Sequence, residues 1–401
     1  MQSMITTFAH GNGPYSRTVD LGLAINAELA RRREESFQII VPLVYGERQR
    51  RIMLEDFGQV VEQSPDLILL DETYGRILND LFFKTGHYQQ NLEFLLENQP
   101  RLEQQVRDYL SGALKVRNFN GDSRTVRGKD IAFEISHNPR IATGFQMSYY
   151  TTIGLFSEIL ERTLEQKIPG FDPEVVRGVI GIAKKIEDDK KVHFMPEPFV
   201  FSYDAHRVKR PKEIFTPPFI HVPKGNNEDV PSGMYVMLTG IDGLRGLFDE
   251  INRFGVKVYC PPFVKDIGGA DNTHAPDFVS NPNIKYQFAR TGWSTVWVSH
   301  MTETPLITPR YILGDDPEIF FNERTVLGLG IASLFDGSNT PEQVLRQADS
   351  QMQNMSRVNQ ALVRNYGMLD GMDYTANVIV EDLLGKNISN YREVQPVLNR
   401  V

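Results

Sequence analysis

Twice along this chain a short apolar run breaks at a glycine-bearing turn, continues with helical period and returns to a second apolar run. The first occurrence begins at residues 4–10 and breaks at His10, Gly11, Asn12, Gly13 and Pro14. It continues through Val19, Leu21, Leu23, Ala24, Ala27 and Leu29 and ends in the apolar run 37–44. The second has a strand over 234–238, the turn Thr239, Gly240, Ile241, Asp242 and Gly243, a helix over 244–254 and a strand over 256–260. Strand, glycine turn, helix and strand at this spacing make a βαβ unit, which implies a parallel sheet covered by helices. Two separate starts of this kind predict an α/β protein with two Rossmann-like domains.

The break between the two is compositional. From His206 to Gly233 the chain carries Pro211, Pro217, Pro218, Pro223 and Pro231 among charges and the polar run 224–229. Such a stretch does not suit a central strand or helix, and it is expected to connect the domains. The expected boundaries are 1–205 for an N-terminal domain with a helical insertion, 206–232 for the linker, 233–366 for a C-terminal domain, and 367–401 for a tail packing back toward the first. At 401 residues, 41% of them apolar, the chain can bury two cores. Residues 74 to 116 are rich in Leu, Gln, Glu and Arg and predict two helices, packed locally or lining an acceptor or oligomer surface. Residues 129–135 read as a strand, and 150–164 and 173–186 as helices. Thr340, Pro341 and Gln343 form a helix-start signature, from which a long helix should run to Tyr366.

Composition removes several functional classes. Cys260 is the only cysteine, so no intramolecular disulfide or cysteine-based zinc site can form, and a reducing compartment fits best. The first residues lack the basic start and apolar core of a secretory signal, and no window approaches the length of an uninterrupted apolar span. The expectation is a cytoplasmic protein. A formal net charge of −8 opposes general attraction to nucleic acid. Arg31, Arg32 and Arg33, and the arginines Arg48, Arg50 and Arg51, still allow a local basic patch and with it a peripheral membrane contact.

The chemistry concentrates between Asn283 and Asn322. An apolar strand runs into Thr291, Gly292, Trp293, Ser294 and Thr295, small and hydroxylated residues at the mouth of a short helix that Pro305 stops. A diphosphate needs backbone N–H groups, hydroxyl donors and close approach at a helix N-terminus, and Gly292, Ser294 and Thr295 can supply them. Leu306 and Ile307 read as the next strand, after which Asp315, Asp316 and Glu318 lead into an apolar helix holding Asn322. Carboxylates and amides in such a loop suit sugar hydroxyls, each well-formed charged hydrogen bond contributing roughly 1.5–3 kcal/mol. The same residue types cap helices, so capping is the competing role for Ser294, Thr295, Asp316 and Asn322. Trp293 and Trp297, on one helix face, read as core.

These motifs resemble the GT-B glycosyltransferases, especially UDP-sugar-dependent enzymes similar to the peptidoglycan-lipid N-acetylglucosaminyltransferase and the small-molecule glucosyltransferases. The matching residues are Thr291 to Thr295, Pro305 and the run from Asp316 to Asn322. Gly11, Asn12 and Gly13 look like the family's first glycine loop. The resemblance implies two Rossmann-like domains facing a central cleft, with the donor held by the C-terminal one. It implies donor-binding roles for Gly11, Asn12, Gly13, Gly240, Gly292, Ser294, Thr295, Asp316, Glu318 and Asn322. Two departures stand out. Where many members carry a glutamate for the nucleotide ribose this chain has Val298, which leaves Glu303 or Glu318 for that contact. Where several members carry a histidine in the first glycine loop this chain has Asn12, with His10 two residues earlier.

His10 ends the first strand at the carboxyl edge of the sheet, and an unperturbed pKa of about 6.5 suits a base that takes the acceptor proton. It is the expected catalytic residue, a backbone-bonded structural histidine being the alternative. His137, after the strand over 129–135, is the acceptor-side candidate, with a plain loop histidine as its alternative. Gly240 and Gly243 let the first turn of the second domain approach the donor phosphates. The implied reaction is inverting transfer of a sugar from a nucleotide diphosphate donor, UDP-sugar favoured, to an unidentified hydroxyl acceptor. Neither a metal nor a cofactor beyond the donor substrate is expected. A UDP-sugar 2-epimerase and a non-catalytic sugar-nucleotide-binding or scaffold protein are the competing functions, and a homo-oligomer is open.

Overall fold

The computed structural model describes residues 2–8, 12–81, 87–152, 154–198, 209–238, 251–262, 264–265, 267–394 and 397. The chain divides into two compact units: Met1–Met195, Val208–Thr216 and Met372–Val394 form the first, and Pro196–Arg207, Pro217–Gly371 and Gln395–Val401 the second.

In unit 1, β1 (Ser3–Phe8), α1 (Asn12–Arg31), β2 (Gln38–Pro42), α2 (Gly46–Gln63) and β3 (Ile68–Asp71) alternate. Every residue of these three strands is buried, as parallel strands covered on both faces require. α3 (Glu72–Asn79), α4 (Tyr88–Ser111) and the hairpin β4 (Ala113–Arg117) and β5 (Ser123–Arg127) follow. Buried and exposed positions alternate along β4, which suits an antiparallel pair with one wet face. The unit continues with β6 (Ile131–His137), β7 (Ser148–Thr151), α5 (Phe156–Glu165), α6 (Pro173–Asp189), β8 (Val192–Pro196) and β9 (Glu213–Thr216). Among the described residues the sheet order is β5-β4-β3-β2-β1-β6-β7-β8-β9. Its parallel part reverses winding direction between β1 and β6, where Phe8 and His137 lie side by side at the carboxyl ends. Open α/β sheets bind ligands at such a switch point.

Unit 2 comprises β10 (Gly233–Met237), β11 (Lys257–Tyr259), β12 (Ile284–Ala289), α7 (Trp293–Met301), β13 (Leu306–Pro309), α8 (Pro317–Gly328), β14 (Ala332–Phe335), α9 (Pro341–Leu345) and α10 (Ala348–Tyr366). All paired strands are parallel, in the order β11-β10-β12-β13-β14 among the described residues. Met234, Val236, Phe288, Ile307 and Phe335 fill the core against this sheet. The switch point lies between β10 and β12. The turn expected over 239–243, with Gly240 and Gly243, and the helix expected over 244–254 lie outside the described residues as far as 250, and Asn252–Phe254 is a 3-10 turn.

α11 (Gly371–Leu383) and α12 (Ser389–Arg392) close the chain. From Met372 onward this segment belongs to unit 1, where Asp382 accepts hydrogen bonds from the Tyr149 hydroxyl at 2.7 Å and the Lys191 ammonium at 2.6 Å. Among the described residues no helix is long and apolar enough to cross a membrane.

Several elements differ from the sequence expectation. A 3-10 turn at Gly128–Asp130 delays the strand expected over 129–135, so His137 is the last residue of β6 rather than a loop residue. Residues 148–151, expected partly as helix, form β7, whose buried tyrosines and threonine suit a central strand, and the helix starts only at Phe156. In the proline-rich stretch, Glu213–Thr216 is a strand rather than linker, placed at the sheet edge where flanking prolines disturb no central ladder. The capping box of Thr340 and Gln343 is present, but the helix expected to reach Tyr366 is broken between α9 and α10. The segment 74–116 does hold two helices, and its end becomes β4.

Candidate functional site

The chain leaving β12, at the switch point of unit 2, turns straight into α7. Gly292 is the N-cap with extended backbone, and among the described residues no side chain caps this helix. Its carbonyl accepts the N–H groups of Thr295 at 3.1 Å and Val296 at 3.0 Å. Helix geometry leaves over the N–H groups of the first residues, here Trp293 and Ser294. A methyl group at Gly292 would meet no atom within 4 Å, so the turn is open at the positive end of the helix. Ser294 and Thr295 are half-buried beside it. This arrangement can hold an anion.

The turn is clamped from behind. Asn322 of α8, fully buried, donates its amide hydrogens to the Thr291 carbonyl at 2.7 Å and to Glu318 Oε1 at 3.1 Å. The Thr291 hydroxyl donates to the carbonyl of Ile319 at 3.2 Å. Asp316 caps α8 by accepting the Glu318 N–H at 2.9 Å, with Pro317 at the first helical position. Arg290 forms an ion pair with Asp315 in the same loop. Asn322 is thus a positioning residue, and one Asp316 oxygen takes the capping role that competed with sugar binding. Asn322 Oδ1 and Trp293 Nε1 are buried without a hydrogen-bond partner. Arg290 escaped the sequence reading, since a lone arginine at a strand end carries no pattern of its own.

Three positions separate the ribose candidates. Val298 packs against Tyr235, Tyr259, Phe278, Val279 and Ile284. Glu303 lies beyond the far end of α7 and accepts from the Asn359 amide at 3.2 Å. The 9 residues of α7, a rise of about 14 Å, lie between it and Gly292. Glu318 stands at the near end, joined to the turn through Asn322. Trp293 and Trp297 are buried and stacked at 6.3 Å between centroids, with Phe219 edge-on to Trp297 at 6.1 Å, as core residues.

In unit 1, His10 and Gly11 lie outside the described residues, while Asn12 opens α1 and Gly13 follows in its first turn. His137 is buried, with Nδ1 at 3.0 Å from the Thr151 hydroxyl. Burial, then the charges of Arg17 and Arg140, hold its pKa down to about 3, which makes it neutral at physiological pH and a weak base. Asp71, at the carboxyl end of β3, caps α3 by accepting the Tyr74 N–H at 2.8 Å, and it also accepts the Tyr109 hydroxyl at 2.8 and 2.9 Å. Burial pushes its carboxyl up to about 6. The signal for this residue was the acid directly after the apolar run 67–70.

No protein-family model and no curated protein matches the chain. Solved structures do. The glycotransferase of kitacinnamycin superposes with a TM-score of 0.58 at 12% identity, over 95% of this chain and 99% of that one. UGT71G1 of Medicago truncatula, complexed with UDP-glucose, gives 0.56 at 14% identity over 95% and 98%. The glycosyltransferase SnogD of Streptomyces nogalater gives 0.55 at 13% identity over 96% and 100%. The fold is therefore that of the GT-B glycosyltransferases, with two Rossmann-like units along the whole chain. At these identities the likeness is one of fold.

Proposed function

We propose that this chain is a glycosyltransferase that moves a sugar from a nucleotide diphosphate donor, UDP-sugar favoured, to a hydroxyl acceptor, with inversion and without a metal. The observation that carries this reading is the open, uncapped N-terminus of α7 at the switch point of unit 2. UGT71G1, complexed with UDP-glucose, and LpCGTa, in complex with UDP, share the fold and lend support to the donor class. Gly292, Ser294 and Thr295 would hold the diphosphate with Gly240, and Asp316 and Glu318 would reach donor hydroxyls. Asn322 keeps the turn in place. Gly11, Asn12 and Gly13, the glycine loop of the N-terminal half, would add donor contacts. As the acceptor oxygen bonds to the anomeric carbon, the bond to the diphosphate oxygen breaks. The charge gathering on the leaving diphosphate is met by the α7 dipole and N–H groups, and His10 takes the acceptor proton.

A thermal-shift panel of UDP, TDP and GDP, followed by assay with and without acceptor alcohols, tests the reading. A ligand at about 100 times its dissociation constant adds about 2.7 kcal/mol of stability. The expected result is stabilisation by UDP, with UDP released from UDP-sugar only when an acceptor is present. No stabilisation by any nucleotide diphosphate sinks the proposal. Conversion of UDP-sugar without acceptor points to an epimerase, and binding without turnover to a sugar-nucleotide-binding protein.

A further inference from the structure

At the switch point of unit 1, β6 ends at His137 beside Phe8 of β1, and the chain leaves the sheet through Asn138, Pro139 and Arg140. Asn138 has a φ of 45°, in the left-handed region, a conformation that a non-glycine residue keeps only where its surroundings fix it and that gathers at functional sites. The Tyr150 hydroxyl at 3.0 Å and the Thr152 hydroxyl at 2.8 Å fix it, both donating to Asn138 Oδ1. The carbonyl so placed accepts one guanidinium N–H of Arg140 at 2.8 Å. The guanidinium carbon lies 3.6 Å from the ring centroid of Phe156, the buried first residue of α5. A hydrogen bond and an aromatic face therefore set the position of a half-buried cation that forms no ion pair among the described residues. Of its five N–H groups, one is committed to a partner among them.

A second guanidinium approaches the same strand end from another element. Arg17 stands in the second turn of α1, the helix that follows β1. Its Nε is buried without a hydrogen-bond partner, and its ion pair with Asp20, one turn on, is long at 3.7 Å. Asp20 and Asp56 temper its charge from a distance, but neither takes the Nε proton donor. Arg17 and Arg140 both act on His137, where burial and then these two charges favour the neutral ring. His137 supplies no counter-charge, and its Nδ1 is engaged by the Thr151 hydroxyl at 3.0 Å. A pre-set guanidinium fork with open donors, at the carboxyl ends of parallel strands, suits two-point pairing with an oxyanion.

We propose that Arg140, supported by Arg17, pairs with an oxyanion of the acceptor, a carboxylate or a phosphate, so that the acceptor is an anionic alcohol. The acceptor assignment rests on the transfer reading above, whereas the anion site itself does not. The test uses the full chain saturated with UDP, which occupies the α7 turn, and follows melting against inorganic phosphate and against acetate at constant ionic strength. At least one anion should stabilise the wild type. R140Q should need about tenfold more of it, the loss of one charge-assisted hydrogen bond, while binding UDP as the wild type does. R140K keeps the charge and the long stem over Phe156, which spares the fold should the shorter glutamine not do so. It should still need several-fold more anion, because an ammonium does not replace two parallel N–H donors. Response to phosphate alone marks a phosphorylated acceptor and response to acetate alone a carboxylated one. Stabilisation by neither anion, or a wild-type response in either variant, overturns the inference. Weaker UDP binding in R140Q would put the arginine on the donor and overturn the acceptor assignment. Should UDP fail to stabilise the wild type, the transfer reading falls, and the anion titrations of wild type and variants without UDP still decide the Arg140 site.

Discussion

Replacing Gly292 by valine tests the donor turn at little cost to the fold. The residue sits in an extended conformation that valine adopts readily, and a Cβ there meets no atom within 4 Å. The expected destabilisation is the capping preference of glycine over valine, about 1 kcal/mol. Binding should suffer far more, because the isopropyl group would grow across the approach to the leading N–H groups of α7. A charge-assisted hydrogen bond contributes about 1.5–3 kcal/mol. At about 1.4 kcal/mol per tenfold, loss of one such bond weakens UDP by roughly 10- to 150-fold. Calorimetric titration of UDP, paired with a melting curve, reads both quantities. Wild-type affinity in a folded variant would refute the reasoning, since a diphosphate at this helix start could not tolerate the added bulk.

Asp316→Asn should keep the α8 cap, because asparagine caps as well as aspartate, yet impair use of the sugar nucleotide more than binding of bare UDP; equal losses in the two titrations would reject the sugar contact. His10→Ala should bind UDP normally and transfer sugar about a hundredfold more slowly, with a smaller deficit at high pH, as loss of a positioned base does; turnover near wild type would place the base elsewhere. Asp71 carries a pH prediction: burial raises its carboxyl from 3.8 to about 6, so the folded state holds this proton more tightly than the unfolded chain. The resulting stability is full below a pH of about 4 and lost as pH rises through about 6, a difference on the order of 3 kcal/mol. Asp71→Asn should therefore be as stable as wild type near pH 4 and more stable at pH 8 by calorimetry; lower stability at pH 8 would mean that the ionised carboxylate is favoured by its two donors.

The βαβ starts were readable because a buried parallel strand is uniformly apolar and its glycine turn interrupts that run sharply. β2 and β11 fall within the expected runs for that reason, and β1 and β10 start one residue before theirs. β7 was not readable: four residues, two of them tyrosine, carry no period, and only burial between β6 and β8 makes them a strand. β9 was obscured by its flanking prolines, which are tolerated because the strand lies at the edge. At the candidate site the sequence placed Gly292 at the helix mouth, since glycine before hydroxylated residues signals an N-terminus. It could not show that Asn322 faces inward to the Thr291 carbonyl, because that contact joins residues 31 apart through the packing of α8.

Val298 bears most directly on which residue could meet a donor ribose. Its side chain packs with Tyr235, Tyr259, Phe278, Val279 and Ile284, so a glutamate there would place a carboxylate against an apolar cluster. A glutamate at position 298 would therefore be costly here, and Glu303 lies beyond the far end of α7. Glu318 remains, held toward the turn by the Asn322 amide and sharing its surroundings with the Arg290 charge. If Glu318 receives the ribose hydroxyls, Glu318→Gln should weaken UDP by about tenfold, the worth of one charged hydrogen bond, while inorganic pyrophosphate binds as in the wild type. If Glu318 acts only by holding Asn322, and through it the Thr291 carbonyl, the phosphate turn itself is disturbed and pyrophosphate must weaken in parallel with UDP. Calorimetric titration of the two ligands against the same variant distinguishes the cases, and parallel losses would remove Glu318 from the ribose.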